Sequence, residues 1–236
     1  MTMRKPALHI AAGIVLGLLA ACANKPAQPE WQMNAADALQ RSLHAYLAGD
    51  ARIEAQEFAK ARSELTRTGR ADLVARAELA RCASRVASLV LEGCPGFDAL
   101  QPDAALPEQA YEEYLAASVG TANVAALPEQ HRATAAALAA GRADAAVVQA
   151  IADPLARLVA AGVVFRAGQS SPALIASAVT TASAQGWRRP LLAWLNVQAD
   201  VARQGGDTAT EATARRRIAL VQGPEPGSAP VPSVRP

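Results

Sequence analysis

The 236-residue chain carries 23 basic and 21 acidic side chains, and it is neutral once Arg4 and Lys5 are set aside with the leader. A neutral body in which only 4% of residues are aromatic argues against nucleic-acid binding, which draws most of its affinity from a basic surface and stacking rings. What remains is long enough for one domain with a real core.

The chain opens with Arg4 and Lys5, an apolar run from Ala7, and the tetrapeptide Leu19-Ala20-Ala21-Cys22. Charge, apolar run and small residues in that order form a secretory leader. The tetrapeptide resembles the bacterial lipobox. That resemblance implies a signal peptide over residues 1–21, removed so that Cys22 becomes the first mature residue and carries the lipid. Several acyl chains hold a protein on a bilayer where one alone would not. Ala23 is not the aspartate associated with inner-membrane retention, so the expected place is the periplasmic face of the outer membrane. Two other readings stay open. An uncleaved anchor needs about 20 apolar residues, yet Lys25 and Pro26 close this run. A plain secretory peptide would leave Cys22 an ordinary residue.

Residues 22–31 read as a polar linker from the lipid. From there to residue 222 the pattern is helical throughout, and no stretch alternates long enough to read as a strand. Helices are expected at 35–48, closed by Gly49, at 51–68 after the cap Asp50, and at 71–89. In the third, Leu79, Cys82, Val86 and Leu89 form one apolar stripe, with Leu73, Ala77, Ala80 and Ala87 on the far side. A helix apolar on two faces packs between neighbours. Further helices are expected at 107–118, 128–140, 143–152, 154–167, 172–185, 190–204 and 208–221, several with proline in the tolerant first turn. Short links make successive helices antiparallel. The expectation is an all-α domain over 32–222, about ten helices stacked as antiparallel hairpins, followed by an extended, disordered Pro-rich tail over 223–236.

Tyr46-Leu47-Ala48-Gly49-Asp50, with Phe58 and Ala61 behind it, resembles the turn and second helix of a tetratricopeptide repeat. No period of about 34 residues persists. The resemblance implies a helical-hairpin array with a concave face for partners.

The chemistry is sparse. No nucleophile elbow, zinc-protease motif, phosphate loop or dinucleotide fingerprint occurs, and no catalytic, cofactor or metal residue is assigned. His44 and His131 read as surface or half-buried structural residues. Cys82 and Cys94 are the remaining cysteines, and an even pair in an oxidising compartment favours a disulfide. It is feasible if the helix holding Cys82 stops near residues 89–91, a stop favoured by Gly93 and Pro95. Glu112-Glu113 between Tyr111 and Tyr114 reads as a helix with tyrosines inward and glutamates solvated. Acidic Asp98, Asp103, Glu108, Glu112, Glu113 and Glu129 fall in a segment without Lys or Arg, while Arg188, Arg189, Arg203 and Arg215–Arg217 crowd the C-terminal part. These sets are expected to complement each other within the domain.

The leading expectation is an outer-membrane lipoprotein, held at the membrane by its N-terminal lipid, whose helical scaffold binds an envelope protein. The alternatives are an envelope enzyme acting on peptidoglycan, and a small-ligand binder using Trp187, Trp194 and Phe165, although Trp194 shares a core-like stripe with Leu191, Leu195 and Val201. Neither the partner nor the oligomeric state is legible. Replacing Cys22→Ser should abolish palmitate labelling and the mature, membrane-associated form; a variant that labels like the parent would refute the lipobox reading.

Overall fold

Alanine-rich amphipathic segments punctuated by Gly, Pro, Asp and Ser fold here entirely as helices. The computed structural model describes residues 28–223, and among them there is no strand. The chain runs through α1 (Glu30–Ala48), α2 (Ala51–Thr66), α3 (Ala71–Ala87), the single turn α4 (Pro95–Asp98), α5 (Leu106–Leu115), α6 (Glu129–Ala139), the short α7 (Ala145–Gln149), α8 (Pro154–Arg166), α9 (Pro172–Ala184), α10 (Arg188–Gln204) and α11 (Thr208–Gln222), with 3-10 turns at Gln101–Asp103 and Thr121–Ala126. Cys22 and the Pro-rich tail lie outside the described residues. Among the described residues no helix is long and apolar enough to cross a membrane.

Local chemistry sets the boundaries. Asp50, Asp144, Asp153, Ser171 and Asp207 each accept a backbone N–H from the first turn of the helix they precede, satisfying donors that a helix start leaves free. Gly49 takes a left-handed φ of 99°, which turns α1 back onto α2 at no steric cost. The first helix starts at Glu30, inside the stretch expected to be linker, because Trp31 already packs beside Ala35 and Leu39.

Helix α3 separates two cores. Its Val74 and Ala77 join Ala35, Phe58 and Leu65 under the α1–α2 hairpin, while Leu79, Cys82 and Val86 face the larger core around α8. The two-faced pattern in its sequence therefore reports its true position. Helix α8 is buried over Leu158–Val164, as a helix apolar all round must be. At their crossing, a Cβ on Gly162 would stand 2.3 Å from the Val86 carbonyl oxygen. Only glycine permits that backbone approach.

α3 ends at Ala87, two residues before the expected stop. Leu89 takes φ 59°. The Leu89 N–H donates to Val86 O at 3.0 Å and the Val90 N–H to Arg85 O at 2.9 Å, which is the Schellman arrangement with leucine where glycine is usual. This reversal carries the chain back so that Cys82 and Cys94, with Cα atoms 5.9 Å apart, are bonded.

The C-terminal half then closes over the N-terminal half through hydrogen bonds to helix ends. Trp194 Nε1 donates to Ala87 O at 3.0 Å, Arg189 Nε to Tyr46 O at 2.8 Å, Arg166 Nη1 to Leu115 O at 3.2 Å and Gln169 Nε2 to Leu138 O at 3.3 Å. Each acceptor lies in the last turn of α1, α3, α5 or α6. Tyr46 O and Leu138 O also accept from Gly49 and Gly141 in the reversals that follow, while Ala87 O and Leu115 O lie where a helix end leaves carbonyls free. Trp194 is fully buried and meets Phe165 edge-on at 5.8 Å. One position departs from expectation: Val201 does not extend the Trp194 stripe into the core but is exposed. On α11, Leu220 is 81% exposed while Ile218 packs inward.

Gly162→Ala should destabilise the domain by about 3 kcal/mol, since backbone rather than a side-chain tip must move. Gly93→Ala, with open space around its Cβ, should change stability by less than about 0.5 kcal/mol. Urea unfolding of the two variants checks the contrast.

Candidate functional site

Two surface features and one buried cluster concentrate the polar chemistry. The first feature is a cleft of about 400 Å³ between α3 and α5, closed by the segment leading into α6. Leu79 and Leu127 form its buried floor, and Pro107, Ala126 and Pro128 its rim. Glu108 stands in the wall, only 4% exposed. Its Oε1 accepts from Arg76 Nε at 2.5 Å, while Oε2 is buried with no partner among the described residues. The Arg76 side chain is 59% exposed, so its guanidinium sits at the mouth.

Behind this cleft lies the buried cluster. Tyr111, which also lines the cleft, packs on His131 with ring centroids 5.6 Å apart, and Tyr114 packs on the same imidazole at 4.9 Å. His131 is 2% exposed, a correction to the surface or half-buried position expected for it. Tyr114 and His131 fill the space between α5 and α6, and Tyr114 Oη, His131 Nδ1 and Thr134 Oγ1 are all buried without hydrogen-bond partners among the described residues. Burial drives the imidazole to about 4, against a small opposing pull from Asp153, so the ring is neutral at neutral pH. Burial also pushes the Tyr111 and Tyr114 phenols up. A neutral imidazole sealed between two protonated phenols packs the core and offers no accessible base.

The second feature flanks α1. On one side, Trp31, Ala35, Leu39, Leu65, Leu73 and Ala77 line a hollow of about 330 Å³ between α1, α2 and α3. On the other, Leu39, Leu43, Leu47, Leu155 and Trp187 line one of about 560 Å³ toward α8 and α10. Ala36 and Leu39 belong to both, so the two adjoin along the helix as one groove, mainly apolar but with Arg70 and Arg76 also lining the first hollow and Asp153 the second. His44 is exposed on its edge.

The remaining candidate residues are dispersed. Glu112 and Glu113 are half-buried rather than solvated. Burial raises the Glu112 carboxyl, with Asp98 and Glu113 adding to it, and Glu113 Oε2 accepts from Asn123 at 2.9 Å. The expected complementarity between the acidic segment and the C-terminal arginines fails: among the described residues no ion pair joins them. Arg215 pairs with Asp200 and Glu211, and Arg203 approaches the same Asp200. Arg189 lies 4.4 Å over the Tyr46 ring. Glu108 pairs with Arg76 instead, and Glu113 accepts from Asn123. No group of three or more His, Cys, Asp or Glu side chains among the described residues could hold a metal ion.

Sequence reasoning passed over Arg76 and saw Glu108 only as one acid among six. The available signal was Pro107-Glu108, a carboxylate in the first turn of a helix whose inner face also carries Ala110 and Tyr114. No protein-family model, curated protein or solved structure matches this chain.

The His131 shift has a defined consequence. The unfolded imidazole takes up a proton near pH 6.5, while the folded one stays neutral to about pH 4. Stability should therefore be fully present above pH 6.5 and fall by about 3 kcal/mol on acidification to pH 4. Denaturation at a series of pH values should show that slope reduced in His131→Gln; an unchanged slope would assign it to other groups.

Proposed function

We propose that this chain is a bacterial lipoprotein, anchored through Cys22 at the periplasmic face of the outer membrane, whose helical body is a scaffold receiving an apolar segment of another envelope protein along α1. The observation that carries the reading is the apolar groove on both sides of α1, where Trp31, Leu39, Leu43, Leu155 and Trp187 are left half-covered by the protein itself. Such contiguous apolar surface on a folded domain marks an interaction site. An amphipathic helix laid on such a surface would use apolar anchors at i and i+4.

The anchor and the groove are also close in sequence. Seven residues separate Cys22 from Glu30, so the eight steps between them span at most about 28 Å. A partner in the groove would therefore be engaged near the membrane surface. The bonded Cys82 and Cys94 are in keeping with an oxidising compartment.

A photo-crosslinking residue at Leu43, expressed in cells, should trap a discrete protein species that the same residue at exposed Ala209 on α11 does not. Leu39→Asp should remove that species without unfolding the domain. Identical species from positions 43 and 209, or none at 43, would refute the groove reading.

A further inference from the structure

We propose that the cleft between α3 and α5 binds a short peptide or amino acid with an aliphatic side chain, taken as its zwitterion: the α-ammonium on Glu108 and the carboxylate on Arg76. Arg76 also borders the hollow between α1, α2 and α3, but Glu108 and the apolar lining of the cleft belong to the cleft alone, and the proposal does not depend on the groove reading.

Three observations carry the proposal. The first is the free acceptor. Glu108 is a carboxylate almost wholly withdrawn from water, and only one of its oxygens is served, by Arg76 Nε. A buried charged oxygen without a donor is costly, and the residue that carries it lines an open cleft. Oε2 itself is shielded from solvent, so a ligand would meet it after a turn of the Glu108 carboxylate toward the cleft. A ligand with several N–H donors on one cationic atom answers that need; an ammonium does so with charge assistance.

The second is the complementary charge. Among the described residues Arg76 engages Glu108 through Nε alone, which leaves the two Nη groups outside that pair, and its side chain is largely exposed. A guanidinium presents its Nη edge to a carboxylate with matched geometry. Acid and base thus stand beside each other with opposite vacancies, the arrangement that a zwitterion completes without leaving either charge unbalanced.

The third is the body of the cleft. Leu79, Ala80, Pro107, Ala126, Leu127 and Pro128 supply an apolar lining, and about 400 Å³ falls within the range of small-molecule sites. An aliphatic side chain laid on Leu79 and Leu127 would be removed from water, whereas a polar one would lose its solvent partners. A fatty acid would use only Arg76, and an alkylamine only Glu108.

The test is calorimetric titration of the full-length protein in detergent with leucyl-leucine, its N-acetyl derivative and its C-terminal amide. Saturable binding of leucyl-leucine is expected, weakened at least tenfold by N-acetylation and severalfold by amidation. Glu108→Gln should produce a loss like that of N-acetylation. Ala126→Trp, which fills the rim and leaves the Arg76–Glu108 pair intact, should abolish binding even if Glu108→Gln does not fold. No saturable heat with leucyl-leucine at millimolar concentration, equal affinity for the N-acetyl form, or unchanged binding to Ala126→Trp would each overturn the proposal. Leu43→Asp, on the side of the α1 groove that Arg76 does not line, should leave this binding unchanged, so the two readings are tested separately.

Discussion

The backbone of α8 touches the backbone of α3, and everything else in this domain is arranged around that crossing. Gly162 lets the two helices meet at the Val86 carbonyl, closer than any pair of larger residues would allow. That separation brings the end of α3 within reach of Trp194, whose indole N–H then finds Ala87 O. It also places Phe165 against the same ring. Interiors are packed to crystal-like density, so a displacement of one helix is passed to its neighbours rather than absorbed. A one-carbon change at this crossing is therefore felt at α10, two helices away in the chain.

Around α3 the polar chemistry follows one scheme. Glu54, Glu57, Glu78 and Glu108 are all buried carboxylates, and each takes an arginine from a neighbouring helix: Arg81, Arg41, Arg62 and Arg76. Three of these arginines remain half or more in water, so their pairs contribute little more than exposed ones. Arg81 differs. It donates to both oxygens of Glu54, at 2.6 and 3.2 Å, and lies 4.4 Å over the Phe58 ring. Removing it would leave Glu54 buried and uncompensated, the costly direction for an ion pair. Glu108 stands apart for another reason, since its second oxygen is buried without a donor on a residue that lines a cleft.

Much of this was readable from residue order. The two apolar stripes of α3, the Asp and Ser caps, the proline-started helices and the core position of Trp194 all rest on local periodicity or capping, and local rules govern them. The crossing at Gly162 does not. A glycine inside an Ala-rich helix reads as a mild loss of propensity until its partner is known, and Val86 lies far away in the chain. Charge was misleading for the same reason. Counting acids and arginines by segment suggested that they met, whereas proximity in the fold gave Arg215 to Asp200 and Glu108 to Arg76. Leu220 and Val201 show the limit on the apolar side, because helical spacing assigns a face and the neighbours decide how far the core extends.

The carbonyl ends of α1, α3, α5 and α6 are finished by donors from residues 166–194. Synthesis delivers the acceptors first and the donors later. A partly made chain can coil its early helices and close most of their last turns with its own backbone, but the carbonyls of Ala87 and Leu115 wait for Trp194 and Arg166. Stability in this domain is thus not accumulated hairpin by hairpin, as in a linear stack whose units contact only their neighbours. It arrives when the second half docks, and the molecule is committed to folding and melting as one piece.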